Sequence, residues 1–285
     1  MTESRMERLD ELMRLNELDA IALNPGPSLT YLTGLHFHLM ERPVVMLIAR
    51  GKRAAIVLPE LETLKLASLD LPVETFPYGE NPGTWADVFQ QATAGLDLDG
   101  RKVGIEPRAL RLLEFRYLQA AIPRADFPDA SPALSALRIC KEPEEISNMR
   151  IAVKIAQDAL EATLPLIKIG MTEKELANEL VIQLLRSGSE PEMPFSPIVS
   201  SGPNSANPHA SPSERVLQPG DLLVIDWGAA HAGYISDLTR TFAVGEVDSE
   251  FQRIYEIVKK ANAAGREAGG PGIPCAAVED RKSVV

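Results

Sequence analysis

A chain of 285 residues, 45% hydrophobic and 24% charged, is long enough for two domains with cores of ordinary size. Its net charge of -11 and the lack of any basic run argue against a nucleic-acid partner and leave the class of small substrate open. No stretch approaches the roughly 20 apolar residues that span a bilayer, and the opening MTESRMERLDELMRL alternates charges with apolar residues and lacks the pure apolar segment of a signal peptide; a cytoplasmic protein without a membrane partner is expected.

The first half reads as alternating elements: a helix near 3 to 18, a short strand DAIALN, a turn at NPGPS, then strands PVVMLIAR and RAAIVLP around the Arg50-Gly51-Lys52 turn. A helix TWADVFQQATAGL, a strand KVGIEP, a helix ALRLLEFRYLQAA and a short strand IPRADF follow. This pattern predicts an α/β domain over residues 1–130 with a mixed or mostly parallel sheet. Gly26, Gly34 and Gly51 fall into neither a P-loop nor a dinucleotide spacing.

The proline-bearing segment FPDASPALSALRICKEPEEI reads as the connection to a second domain, residues 131–285. Pro143 is placed to start a helix, with Glu144 and Glu145 at the positive end of its dipole. Helices are expected at about 143 to 163 and 172 to 187, the latter capped by Thr172 with Glu175 completing a capping box. Strands near 195 to 201, 222 to 227 and 233 to 243 precede a helix at about 249 to 268. Pro271, Pro274, Ala276, Ala277, Val278, Val284 and Val285 then look like the first turns of another helix. So little sheet for so many helices suggests an α+β domain cut short at its C-terminal side. Cys140 and Cys275 lie far apart and outside any Cys-x-x-Cys, which points to buried or half-buried free thiols.

The stretch LLVIDWGAAHAGYISDLTRTFAVG places two carboxylates among apolar neighbours, Asp226 after Leu222 to Ile225, and Asp237 before Leu238. A carboxylate in such surroundings needs a salt bridge, backbone donors or a cation. An antiparallel hairpin would bring the two side chains together across the sheet, where like charges repel unless a divalent ion such as Mn, Co, Zn, Mg or Fe lies between them. The alternatives are a surface pair of Asp237 with Arg240 and a strand-ending Asx turn at Asp226. His231 reads as a solvated turn residue. His209, in the Gly, Ser, Asn and Pro-rich SGPNSANPHASPSERVLQPGD, is presented by a loop where a neutral imidazole can hydrogen-bond a substrate.

SGPNSANPHA, LQPGDLLVIDWGAAHAGYISDLTRTFAVG and YLTGLHFHLMERP together resemble the M24-type metallopeptidases that cleave at proline, Xaa-Pro dipeptidase (prolidase) and Xaa-Pro aminopeptidase, with creatinase as a relative. The resemblance implies a creatinase-like N-terminal α/β domain followed by a pita-bread domain holding two divalent ions, manganese first, with cobalt or zinc next. It makes Asp226 the ligand of one ion and Asp237 a bridge between both, with His209 a catalytic and substrate-binding residue. Phe195 is a candidate wall for the proline ring. His36 and His38 are candidates to reach a substrate across a homodimer, and short proline-containing peptides are the expected partners. The pattern also calls for a His and two Glu ligands that have no counterpart within these 285 residues, so this chain is expected to be inactive or nearly so. The competing expectations are an Xaa-Pro aminopeptidase acting on longer peptides, a creatinase-like hydrolase without metal, and a non-catalytic homologue used for binding.

Overall fold

The computed structural model describes residues 2–283 and divides into two compact units, Met1–Lys141 and Glu142–Val285. The division falls later than residue 130 because the proline-bearing connection is itself folded. Ser131–Ile139 is a helix, α5, whose Ala133, Leu134 and Leu137 are buried, and it packs on the N-terminal helix α1, Thr2–Leu15.

In the first unit, strands β1 (Ala20–Leu23), β2 (Val45–Ala49), β3 (Ala54–Pro59), β4 (Val73–Tyr78) and β5 (Val103–Ile105) form a five-stranded sheet in the order β4-β3-β2-β1-β5. The sheet is mixed: β1 is antiparallel to β2 and parallel to β5, and β3 is parallel to β4. β1, β2 and β3 are buried along their whole length, which is why they read as continuous apolar runs. Ile21, Leu23, Met46, Ile48, Ile56 and Leu58 pack with α1 and α5 on one face. Ala22, Val45, Leu47 and Val57 pack on the other with helices α3 (Trp85–Leu96) and α4 (Leu112–Ala121).

Four local readings differ from the structure. NPGPS is less a turn than the entry to helix α2, Pro27–Thr33, with proline in its first turn and Gly34 closing it at φ 71. IPRADF is not a strand, and only isolated bridges such as Lys102↔Asp126 form there. β4 is an edge strand, largely accessible and containing Pro77, so both its polarity and its proline conceal it. Cys140 and Cys275 are exposed rather than buried; the first follows the end of α5 and the second opens the last helix.

In the second unit the helices fall where expected. α6 spans Pro143–Thr163, and α7 spans Glu173–Arg186 with the Thr172/Glu175 capping box formed. A three-stranded antiparallel sheet has the order β10-β7-β6, with β6 at Ile198–Ser201, β7 at Leu222–Trp227 and β10 at Leu238–Ala243. A short hairpin of β8 (Ala230–His231) and β9 (Tyr234–Ile235) joins β7 to β10. The core lies between the sheet and α6 and α7. Helices α8 (Ser249–Ala268) and α9 (Cys275–Ser283) follow; Val284 and Val285 lie outside the described residues. Phe251, Ile254, Tyr255, Ile257 and Val258 of α8 are exposed. No helix among the described residues is long and apolar enough to cross a membrane.

One buried charge holds together a loop of the first unit. Glu114 is fully buried in the first turn of α4, where the Arg111 guanidinium donates to both its carboxylate oxygens and to Met40 O. Arg111→Met would leave that carboxylate uncompensated, at a cost of about 3 kcal/mol. The expected result is a clearly lower urea midpoint for the Trp85 fluorescence transition, measured with Trp227 replaced by Phe; an unchanged midpoint would contradict the role given to the pair.

Candidate metal and substrate site

The second unit's sheet is built on the alternation of β7. Leu223, Ile225 and Trp227 are buried against α6 and α7, so Leu222, Val224 and Asp226 take the opposite face. Asp226 pairs across the sheet with Ile198 on one side and Thr239 on the other. Its Oδ1 is enclosed and has no hydrogen-bond partner. Asp237 is exposed and lies just before β10. The register sets how the two aspartates stand across the sheet: Thr239 faces Asp226, and Asp237 is two residues before it, a diagonal neighbour. Neither alternative for the aspartates is seen. Among the described residues no ion pair joins Asp237 to Arg240, whose guanidinium donates to Thr239 O at 2.8 Å, and Asp226 is inside the strand rather than in a turn.

Helix α6 fixes this hairpin through three polar contacts. The Trp227 indole donates to Ala156 O at 2.8 Å, the Ser236 hydroxyl to Ala152 O at 3.0 Å, and the Tyr234 hydroxyl to Glu145 Oε1 at 3.0 Å. Ser236 Oγ also accepts from Ala229 N, closing the neck of the hairpin. The reversal itself is Ala232-Gly233, at φ 50 and 76, the signature of the tight turns that suit strand twist. His231 is therefore not in the turn: it is a half-buried residue of β8 paired with Tyr234. Gly228 allows the close crossing, since a Cβ there would stand 2.1 Å from Ser236 O and 3.1 Å from Phe195 Cε1. Half-buried Phe195 thus lies on the hairpin two residues beyond Asp226.

His209 is carried by a different device. Residues 202–212 leave the end of β6 as a short 3-10 turn, Gly202–Ala206, and His209 is exposed beyond it, its N–H donating to Asn207 Oδ1 at 3.0 Å. The loop is held at its neck by Glu173, the first residue of α7, which is fully buried. Glu173 Oε1 accepts from Ser201 N (2.7 Å), Ser201 Oγ (2.8 Å) and Asn204 Nδ2 (3.2 Å), and Oε2 accepts from Ser213 Oγ (2.6 Å) and Ser213 N (3.1 Å). Burial raises the carboxyl's pKa, but the donors on Ser213, Ser201 and Asn204 outweigh it and hold it below the ordinary value. Beside this lies a bidentate pair, Arg215 with Asp221, at 2.7 and 2.8 Å, and Arg215 also donates to Ser201 Oγ at 2.6 Å. The Arg215 hydrogen bond pulls the Asp221 carboxyl down against its burial. Gly202, at φ 49, has no room for a side chain, because a Cβ would meet Arg215 Nη2 at 2.5 Å and Asp221 Oδ1 at 2.6 Å.

Asp226, Asp237 and Phe195 are therefore brought to one hairpin, while His209 stands on a separate loop with no contact to them shown. His36 and His38 are exposed, in an irregular segment of the first unit where intervening Phe37 packs against the core. Among the described residues no group of three or more His, Cys, Asp and Glu side chains is arranged to hold a metal ion. Sequence reasoning missed Glu173, Ser236, Gly202 and Gly228. Glu173 in GMTEKEL looks like an ordinary helix-start acid, and its partners lie 28 to 40 residues away.

The two units match two protein families. Residues 5–140 match the Creatinase/Prolidase N-terminal domain and residues 147–281 match metallopeptidase family M24. A dipeptidase structure from Pyrococcus horikoshii OT3 is 32% identical with a TM-score of 0.88, over 98% of this chain and 76% of that one. The chain belongs to metallopeptidase family M24. A prolidase from Thermococcus sibiricus superposes with a TM-score of 0.92 at 27% identity, over 99% of this chain and 76% of that one. An Xaa-Pro dipeptidase of Lactobacillus helveticus is 29% identical over 94% of this chain and 73% of its own length. The fold is thus the family's two-domain architecture, a creatinase-like N-terminal domain and a pita-bread domain, and the family's chemistry is metal-dependent peptidase action near proline bonds. One oxygen suits such an ion: Asp226 Oδ1 is an enclosed acceptor without a hydrogen-bond donor, and carboxylate oxygens suit hard divalent cations.

Two outcomes follow from this geometry. Gly228→Ala forces Cβ into Ser236 O and is expected to destabilise the second unit by about 3 kcal/mol or more, seen as a lower urea midpoint for Trp227 fluorescence; a tolerated substitution would mean that the crossing is not tight. The pH dependence has a definite sign, because Glu173 and Asp221 have folded pKa values below their ordinary 4.5 and 3.8. The unfolded chain then takes up protons first as pH falls, so their contribution is intact above about pH 5, begins to fall as pH drops through their ordinary values, and is fully lost only once pH is below their folded values. Melting of Trp227 fluorescence should show that acid loss, and Glu173→Gln should weaken it while lowering the neutral-pH midpoint.

Proposed function

We propose that this chain carries part of the site for metal-dependent hydrolysis of the peptide bond preceding proline in Xaa-Pro dipeptides, with Asp226 and Asp237 as carboxylate ligands of a pair of divalent ions. The observation that carries the reading is Asp226 Oδ1, enclosed and without a partner in the strand that the M24 match covers, because a buried acceptor of this charge is ordinarily met by a donor or a cation. The names of similar proteins, Xaa-Pro dipeptidase and prolidase, support the choice of dipeptides. Manganese is the first choice of metal, with cobalt or zinc next.

When bound, the ions supply Lewis acidity that polarises the scissile carbonyl. The chain's own residues bind and orient. Proline's imide nitrogen has no hydrogen to offer, so its ring is recognised by an apolar wall, and Phe195 beside Gly228 provides one. The exposed His209 imidazole hydrogen-bonds the substrate from the loop. In a homodimer, His36 and His38 of a second copy reach the same substrate.

Mn2+ titration of the chain tests the ligands without relying on turnover. Mn2+ is expected to raise the melting temperature of the wild type and to have no effect on Asp226→Asn; equal shifts in both would sink the assignment. Release of free proline from an Xaa-Pro dipeptide with added Mn2+ is expected to stay at a trace, because among the described residues no group of three or more His, Cys, Asp and Glu side chains is arranged to hold a metal ion. Robust turnover that survives Asp226→Asn would refute the metal role altogether.

A further inference from the structure

Glu173 is an acid buried without need of it for capping. The α7 N-terminus already has its box from Thr172 and Glu175, and its first N–H groups are used by the incoming chain: Glu173 N donates to Arg215 O at 3.0 Å and Lys174 N to Ser213 O at 3.2 Å. The Glu173 side chain instead turns to both ends of the loop, meeting Ser201 where it leaves β6 and Ser213 where it returns. Asn204, in the first turn of the loop, reaches the same carboxylate and also donates to Ser213 Oγ at 3.2 Å. One carboxylate thereby joins the two strands of the neck, and every donor it takes is on the segment that carries His209.

We infer that Glu173 is a positioning residue for the reaction: it clamps the neck of the 202–212 loop and so holds the His209 imidazole where a substrate meets it. This rests on the reading of His209 as a substrate-side group. A carboxylate suits the task because its two oxygens offer about four acceptor directions in one plane, so donors from two chain segments converge on a single rigid group. An amide of the same shape cannot replace it. One oxygen becomes an NH2 and faces Ser213 or Ser201, where the partners are themselves donors.

The test uses the whole chain, whose four histidines give few enough imidazole resonances for His209 to be identified by its loss in His209→Gln. Glu173→Gln is expected to speed amide exchange across 202–212 by about 10-fold or more beyond the rise in α6 and β7 that its lower melting midpoint accounts for, and to move the His209 resonance to that of a free peptide, while the other histidine resonances stay unchanged. Ser213→Ala, which removes one arm and leaves the buried charge in place, is expected to give a smaller change of the same kind. Exchange that rises uniformly through the second unit in both variants would make Glu173 a stability residue and overturn the inference, as would an unmoved His209 resonance. Addition of an Xaa-Pro dipeptide to the wild type separates the two readings. A shift of the His209 resonance that weakens in Glu173→Gln supports the positioning role. No shift in the wild type removes the substrate role of His209, and leaves the exchange results to stand or fall as a property of the loop.

Discussion

The second unit depends on the two-residue period of β7. Once Leu223, Ile225 and Trp227 are committed to the core against α6 and α7, Asp226 is committed to the other face, and no local adjustment changes this short of moving the whole strand by one residue. The Trp227 indole, bonded to a carbonyl of α6, opposes such a slip with a polar contact as well as with burial. The position of the carboxylate is therefore a consequence of packing on the side of the sheet that it does not occupy.

The hairpin and the loop reach their positions by different physics. The hairpin is fastened by hydroxyl and indole groups to carbonyls and a carboxylate of one helix, and by a glycine crossing too tight for a methyl group. The loop is fastened by a buried charge saturated with donors and by a neighbouring ion pair. The hairpin's Ser236 and Trp227 anchors are neutral groups on backbone carbonyls, whereas the clamp on the loop is charged and weakens in acid. The second unit of this chain is thus held by two sets of contacts of different chemistry.

Much of this was legible in the chain. The apolar runs of β1 to β3, the Pro143 helix start and the Thr172 capping box mark their elements directly, since each depends on neighbours within a few residues. Asp226, Asp237 and His209 stood out because their residue types conflict with their surroundings or sit in a polar loop. β4 escaped notice because an exposed edge strand with a proline lacks the periodicity of a buried one. α5 reads as a connection because Pro128, Pro132 and Pro143 in and around it mask a buried Ala133, Leu134 and Leu137 face. His231 was misplaced by the number of small residues around the turn, several of which belong to strands.

By itself the sequence determined the alternating α/β elements of the first unit and the helices of the second unit, because these follow from local periodicity and capping, while its motifs carried the resemblance to the M24 fold that the family matches bear out. Only the tertiary structure decided that Thr239 and not Asp237 faces Asp226, that Phe195 meets the hairpin over Gly228, and that Glu173 grips both ends of the His209 loop. Those facts depend on strand register and on contacts between residues 28 to 40 positions apart, and no local pattern encodes which distant donor a buried carboxylate will find.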